Sequence, residues 1–502
     1  MHPVIGRFGK SVVIVDGGMG TLLQANGLMG GELPELWNLT HPEVLLKIQS
    51  DYVNAGCDIL TANMFGANRL KLEKTGHTVQ EVVSQALKLA HTASGGKAAV
   101  ALDIGPSGKL LKPFGDLAFD DAYELFKEEI IAGRDNADLV IIETMSDAYE
   151  AKAALLAAKE NCDLPVVVTF TFDSTGKLLT GSNIPAALLL AESLGADAVG
   201  INCSLGPEQM ESFVDEMLTL TNLPIVINPN AGLPVSVNGE TSYPVGPEEF
   251  YAYMERFAEK GAAILGGCCG TTPEHIRLLA ERLKNKPVKE RHIEKKTVVS
   301  SYTHTVTFGA RPILIGERIN PTGKPRLKQA LREGDLEYLC REGIAQTEHG
   351  ADILDVNVGL PELDEPAVME RAIINLQSVT NTPLQIDTSN VEAMERALAD
   401  SAIHNCEVSI YDGLIAEYTK HHGIGYMVRG LRNNMDYNYE ENIAEVNKLI
   451  DPSLEYVYFR ADNVAVSSSM VKELRHYGQD VSSYVPPAIA ALLAEENVNT
   501  EH

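Results

Sequence analysis

Between residues 12 and 270 the chain alternates between two kinds of hydrophobic pattern. Short, continuously apolar, β-branched runs occur at Val12–Val15, Ile59–Thr61, Ala98–Leu102, Leu139–Ile142, Val166–Phe170, Ala198–Ile201, Pro224–Ile227 and Ala262–Leu265. A strand with one face in water alternates polar and apolar residues, whereas a run apolar at every position is one buried on both faces, as in a parallel sheet. Between the runs lie segments such as Ala148–Lys159 and Pro185–Leu194, whose apolar residues recur at helical spacing. Eight such strand–helix units predict an α/β fold, a complete (β/α)8 barrel of the TIM type over residues 1–285.

Chemistry in such a barrel collects at the C-terminal ends of the strands. The first run leads into Asp16-Gly17-Gly18-Met19-Gly20-Thr21, the third into Asp103, the fourth into Glu143-Thr144, the sixth into Asn202-Cys203-Ser204 and the seventh into Asn228-Pro229-Asn230. The eighth leads into Gly266-Gly267-Cys268-Cys269-Gly270. The chain has seven cysteines, an odd number scattered without the spacing of a disulfide framework. Cys57, Cys162, Cys340 and Cys406 read as small buried hydrophobes. Cys203, Cys268 and Cys269 stand apart, because strands six and eight are close in the ring and bring three thiols to one mouth. Three thiolates with a vacant fourth position describe a catalytic zinc site, able to deprotonate an incoming thiol. Asp16 and Glu143 suit a substrate ammonium and the amides of Gly17–Gly20 a carboxylate, which together fit an amino-acid thiol. Helix capping is the alternative role for the two acids.

The charge balance, 41 basic against 69 acidic residues for a net −28, argues against nucleic acid and anionic membrane as partners. No run of eighteen apolar residues occurs and the N-terminus carries no secretory pattern, so the sequence predicts a cytoplasmic protein.

The motifs Asp16–Thr21, Gly200–Pro207 and Gly266–Pro273 resemble those of the homocysteine S-methyltransferase family, most closely the homocysteine barrel of cobalamin-dependent methionine synthases. The resemblance implies zinc on Cys203, Cys268 and Cys269, and homocysteine against Asp16, Gly17 and Glu143. It also implies methyl transfer to the homocysteine thiolate, giving methionine. Neither a cobalamin domain nor a corrinoid-ligating motif occurs in this sequence, so methylcobalamin or methyltetrahydrofolate is expected from elsewhere, through a separate corrinoid protein for example.

Residues 286–311 read as a charged linker. Beyond it, Gly316-Glu317-Arg318-Ile319-Asn320-Pro321, Asp355-Val356-Asn357 and Gln385-Ile386-Asp387 follow three further apolar runs and resemble the pterin-binding, methyltetrahydrofolate barrel of the same synthases. That resemblance places Glu317, Asn320, Asp355, Asn357 and Asp387 at a pterin. It extends over 312–398, and three strand–helix units do not close an eight-stranded ring. Residues 399–502, with Val428-Arg429-Gly430, Asp436–Glu440, Ser467-Ser468-Ser469 and Gly478–Val481, resemble the C-terminal part of phosphopantetheine adenylyltransferase, a Rossmann-like nucleotidyltransferase. This implies Arg429, Glu440, Ser467, Ser468 and Ser469 near nucleotide and phosphopantetheine. The family's nucleotide signature is missing, so the expectation is a truncated pterin barrel joined to a partial nucleotidyltransferase within 391–405, as a fused gene or a chimera. Adenylyl transfer by the C-terminal segment, or a non-catalytic remnant, is the alternative to methyl transfer.

Overall fold

The computed structural model describes residues 2–400 except 113, 238–239, 295 and 310. Beyond residue 400 it describes 416–417, 420, 426–431, 444–450, 452 and 454–460. The chain divides into two compact units, one formed essentially by Met1–Thr307 and one beginning at Phe308.

The first unit is a ring of eight parallel strands: β1 (Val13–Ile14), β2 (Ile59–Thr61), β3 (Ala99–Ile104), β4 (Leu139–Met145), β5 (Val166–Phe170), β6 (Ala198–Asn202), β7 (Ile225–Asn228) and β8 (Ile264–Leu265). β8 lies between β7 and β1, and a single bridge from Val15 to Ile59 closes the ring against β2. Every apolar run read from the sequence is one of these strands. Successive side chains on a strand point to opposite faces. Val13, Ile59, Ala99, Ala101, Leu139, Ile141, Val167, Ala198 and Val226 form one core cluster. Ile14, Leu60, Val100, Leu102, Val140, Ile142, Val168, Val199 and Ile227 belong to another, which includes the helices. Both faces are therefore dry, and this is why the runs show no alternation. Gly200 has a packing reason: a Cβ there would lie 1.8 Å from the Val226 carbonyl oxygen on the neighbouring strand.

The helices between strands start and stop on local chemistry. Thr78, Asp147 and Asn183 cap the helices Val79–Ser94, Ala148–Asn161 and Ile184–Ser193 through their side-chain oxygens. Thr272 and His275 form a reciprocal capping box on Pro273–Leu283. At the N-terminal end of the ring Asp58, almost fully buried, takes Arg7 at 2.7 Å and Lys284 at 2.9 Å, and its Oδ2 accepts the Ile14 amide at 3.0 Å.

The stretch expected to link the domains carries structure of its own. Val288 donates to the Lys10 carbonyl, Arg291 donates to the Leu223 and Gly261 carbonyls, and Val298–Ser300 pairs antiparallel with Thr305–Thr307. Strands of three residues fall below the length at which periodicity is readable.

The second unit contains a parallel sheet in the order β9 (Ile315–Ile319), β10 (Ile353–Val356), β11 (Leu384–Ile386). The helices Pro325–Glu333, Leu336–Glu348, Glu365–Val379 and Val391–Asp400 accompany it, around a core that includes Ile319, Leu327, Leu339, Val356, Met369, Ile373 and Leu376. A separate parallel pair joins β12 (Tyr426–Leu431) to β13 (Glu455–Arg460). Among the described residues no helix is long and apolar enough to cross a membrane.

Candidate functional site

Three sulfurs converge at the C-terminal mouth of the first barrel. The Sγ atoms of Cys203, Cys268 and Cys269 all lie within 4.8 Å of one another, and each residue is half-buried. Cys203 directly follows β6 in the left-handed region, φ 57°, and Ser204 repeats it at φ 54°. Two consecutive non-glycine residues in that region store backbone strain, and such strain clusters at functional sites. The Cys203 amide donates to the Asn228 carbonyl and the Cys268 amide to the Pro229 carbonyl, so the end of β7 aligns both thiol-bearing loops. The Thr271 hydroxyl donates to the Cys268 carbonyl at 2.7 Å. Hydrogen bonds from Cys203, Cys268 and Tyr243 pull the Cys269 thiol down to about 3, while the same sharing and then burial push the Cys268 thiol up.

A second group of charges faces the same mouth. Burial raises Asp16 to about 7, against the opposing hydrogen bonds that its Oδ2 accepts from the Thr61 amide at 2.8 Å and hydroxyl at 3.0 Å. Burial, then Asp16 and Cys269, raises Glu143 to about 8. Asp103, at the end of β3, is pushed up by burial and then by Glu143 and Asp16, and its Oδ1 has no partner among the described residues. Three carboxyl groups raised mainly by burial form a site that a cation would relieve. Neither Asp16 nor Glu143 caps a helix: the helix Met19–Ala25 has Gly18 at its cap, and Asp147 caps Ala148–Asn161.

Asn202, fully buried at the end of β6, organises the space between these groups. Its Oδ1 accepts the Thr144 amide at 2.9 Å and the Thr169 hydroxyl at 3.0 Å. Its Nδ2 donates to Thr144 Oγ1 at 2.8 Å and to Glu143 Oε2 at 3.4 Å. Thr144 is held at φ 62° by this grip. Gly17 is a close approach, since a Cβ there would lie 2.7 Å from Thr271 Oγ1 and 2.9 Å from the Tyr52 hydroxyl. The Gly18 amide, expected to be open to a carboxylate, donates to Thr271 Oγ1 at 3.0 Å. Asn202 and Asp103 stand in stretches read from the sequence as strand ends, whereas Tyr52, from the last turn of the helix Pro42–Ala55, has no local signal at all.

In the second unit the strand ends gather Glu317, Asp355, Asn357 and Asp387. Asn357 Nδ2 donates to Asp387 Oδ2 at 3.1 Å, Gln385 to Asp355 Oδ1 at 2.8 Å, and Lys324 to Glu317 Oε2 at 3.1 Å. Burial, then Asp387 and Glu317, raises Asp355 to about 7. Asn320 is engaged locally, accepting the Thr322 amide at 2.9 Å. Arg429 lies in β12, its side chain outside the described residues, as are Glu440, Ser467, Ser468 and Ser469.

Residues 13–283, more than half of the chain, match the family model for homocysteine S-methyltransferase. The chain belongs to that family. Residues 316–463 match the model for pterin binding enzymes. This second match runs past residue 398 and through the join expected at 391–405. It takes in Arg429 and Glu440, and neither family model supports the nucleotidyltransferase resemblance. The homocysteine S-methyltransferase homologues include a methionine synthase of Mycobacterium leprae (strain TN), 32% identical over 419 residues. That of Mycobacterium tuberculosis is 31% identical over 414 residues. Each alignment covers 78% of this chain and 34% of the relative, so the chain spans about a third of the length of the curated relatives it matches. A solved homocysteine methyltransferase from Escherichia coli, in its metallated form, is 22% identical with a TM-score of 0.47, covering 54% of this chain and 96% of that one.

Proposed function

We propose that this chain transfers a methyl group to the sulfur of homocysteine, giving methionine, with zinc held by Cys203, Cys268 and Cys269. The observation that carries the reading is the meeting of a three-sulfur cluster with the carboxyl group of Asp16, Asp103 and Glu143 at one barrel mouth. The donor set fits the metal: thiolates are soft ligands, three of them lie within 4.8 Å, and no fourth cysteine or histidine joins the group among the described residues. Bound there, zinc supplies a Lewis acid that keeps a coordinated thiol ionised at neutral pH, where a free thiol of pKa about 8.5 is mostly protonated.

The protein's own residues do the rest. Asp16 and Glu143 take the substrate ammonium, and each gives up its proton to solvent as the cation arrives, since a positive charge beside a buried carboxyl favours its ionised form. Asn202 fixes the Glu143 carboxylate and the turn at Thr144. Gly17 leaves the space that a side chain would occupy against Thr271 and Tyr52. The sulfur lone pair then forms the new S–CH3 bond as the bond from methyl to donor breaks, its electron pair leaving with the donor. Methylcobalamin on a separate corrinoid protein, or methyltetrahydrofolate, serves as donor. The pterin-type unit, through Glu317, Asp355, Asn357 and Asp387, engages the latter. The protein works in the cytoplasm.

The test uses the full chain reconstituted with zinc. Metal content is measured together with methionine formation from homocysteine and each of methylcobalamin, methyltetrahydrofolate with a corrinoid protein, and S-methylmethionine. One zinc per chain and turnover with at least one donor are expected, both lost in Cys268→Ser. Unchanged zinc content and turnover in that variant overturn the reading.

A further inference from the structure

The segment after the barrel packs against stretches that follow three of its strands. The hairpin of Val298–Ser300 and Thr305–Thr307 presents a tip, residues 301–304, to loops that follow three different strands. After β4, the Tyr302 hydroxyl donates to Asp147 Oδ1 at 2.7 Å, and its ring meets Tyr149 edge-on at 4.4 Å. After β3, Phe114 stacks on the same ring at 5.8 Å. After β5, the Ser182 hydroxyl donates to the Tyr302 carbonyl, and the Asn183 amide donates to the Thr303 carbonyl at 3.0 Å. Loops after the strands of such a barrel carry its chemistry, so a clamp on three of them bears on the site and not on the scaffold alone.

Asp147 is where the clamp acts. It is almost fully buried, its Oδ1 also accepts the Tyr149 amide at 2.8 Å, and its Oδ2 has no partner among the described residues. A buried carboxylate with one oxygen unsatisfied depends heavily on the donors it does have. Three residues earlier the chain makes its left-handed turn at Thr144, and next to it stands Glu143. The stretch 143–147 is therefore pinned at both ends, by Asn202 on the β6 side and by Tyr302 on the hairpin side.

We propose that Tyr302 is a positioning residue of the homocysteine site: through its hydroxyl on Asp147 it sets the loop that presents Glu143 to the substrate ammonium. This rests on the proposed function for the role of Glu143, but the pinning stands on the hydrogen bonds alone. The functional unit thereby extends through Thr307, where the first compact unit ends.

The experiment is Tyr302→Phe in the full, zinc-loaded chain. The ring packing against Phe114 and Tyr149 is retained and only the hydroxyl is lost. Losing ground-state positioning of a substrate contact raises KM with kcat nearly unchanged. The expected result is a homocysteine KM raised roughly three- to ten-fold, from one hydrogen bond to a buried charged group. Zinc content and kcat should stay at wild-type values, and the barrel unfolding midpoint should fall only modestly, because the Tyr149 amide still donates to Asp147 Oδ1. Peptides covering 143–149 should exchange amide hydrogen several-fold faster. An unchanged KM overturns the proposal, as does a KM that moves only together with lost zinc or lowered kcat, which is what a general loosening of the mouth produces. Unchanged exchange at 143–149 overturns the pinning itself. Wild-type protein that binds no homocysteine while Tyr302→Phe still loosens 143–149 overturns the functional reading and leaves the pinning demonstrated.

Discussion

Replacing Asn202 with alanine tests how far the site and the barrel depend on one side chain. The substitution removes the acceptor of the Thr144 amide and the Thr169 hydroxyl, and the donor to Thr144 Oγ1 and Glu143. Asn202 is fully buried, so the stranded donors cannot all turn to water. Each unsatisfied buried donor costs about 1–3 kcal/mol, and the space left by the amide admits at most a water that recovers part of it. A loss of roughly 2–4 kcal/mol in barrel stability follows. The assay is unusually clean, because the chain has a single tryptophan, Trp37, buried within the barrel unit. Its emission during urea denaturation reports that unit and not the second. Homocysteine KM should rise in the same variant, because Thr144 loses the grip that holds it at φ 62°. Asn202→Asp adds discrimination: it keeps an acceptor for Thr144 and Thr169 but places a second carboxylate against Glu143, so its loss should grow as pH rises. A change in stability below about 0.5 kcal/mol for Asn202→Ala, with KM intact, would refute the argument, since that is the range of an ordinary surface substitution.

Two other outcomes are expected. Asp58→Ala strands Arg7 and Lys284 at the opposite end of the ring; a fully buried broken pair costs about 3–5 kcal/mol, and because both partners reach solvent a fall of roughly 2–3 kcal/mol in Trp37-monitored stability is expected, with KM unaffected. In the second unit Asp355 has its carboxyl raised to about 7, so between the unfolded value of about 3.9 and that pH the folded state binds more protons than the unfolded one, and stability there falls as pH rises. Hydrogen exchange at β10, corrected for its intrinsic pH dependence, should show protection declining from pH 4 to 7 in the wild type and flat in Asp355→Asn; parallel profiles would disprove the burial argument.

The barrel was readable because burial on both faces removes the polar alternation that otherwise blurs a strand. Val166–Phe170 and Ala198–Ile201 are buried at every position, and the sequence shows them as runs without the alternation of a half-exposed strand. The convergence of Cys203 with Cys268 and Cys269 was readable for a related reason: ring order is implied once eight units are counted. The hairpin at 298–307 escaped because its strands are short and only partly buried. Tyr302 looked like any linker aromatic, since nothing near it in sequence announces Asp147, its partner 155 positions away. Tyr52 escaped likewise, and Thr271 was legible only as part of the motif 266–273: they act on Gly17 and Gly18 from the helix after β1 and the loop after the neighbouring β8, a proximity that the folded ring creates.

The bridge between Val15 and Ile59 has a further consequence. Where the ring closes, carboxylates do part of the work of backbone carbonyls: Asp58 Oδ2 accepts the Ile14 amide and Asp16 Oδ2 accepts the Thr61 amide. One of these two stitches is thus also a proposed substrate contact. Occupancy of the mouth and closure of the ring then draw on the same oxygen atoms, so homocysteine would act as a folding ligand for this seam, stabilising it by an amount that grows with the logarithm of its concentration. Removing Asp16 therefore removes a proposed contact and a stitch of the ring together.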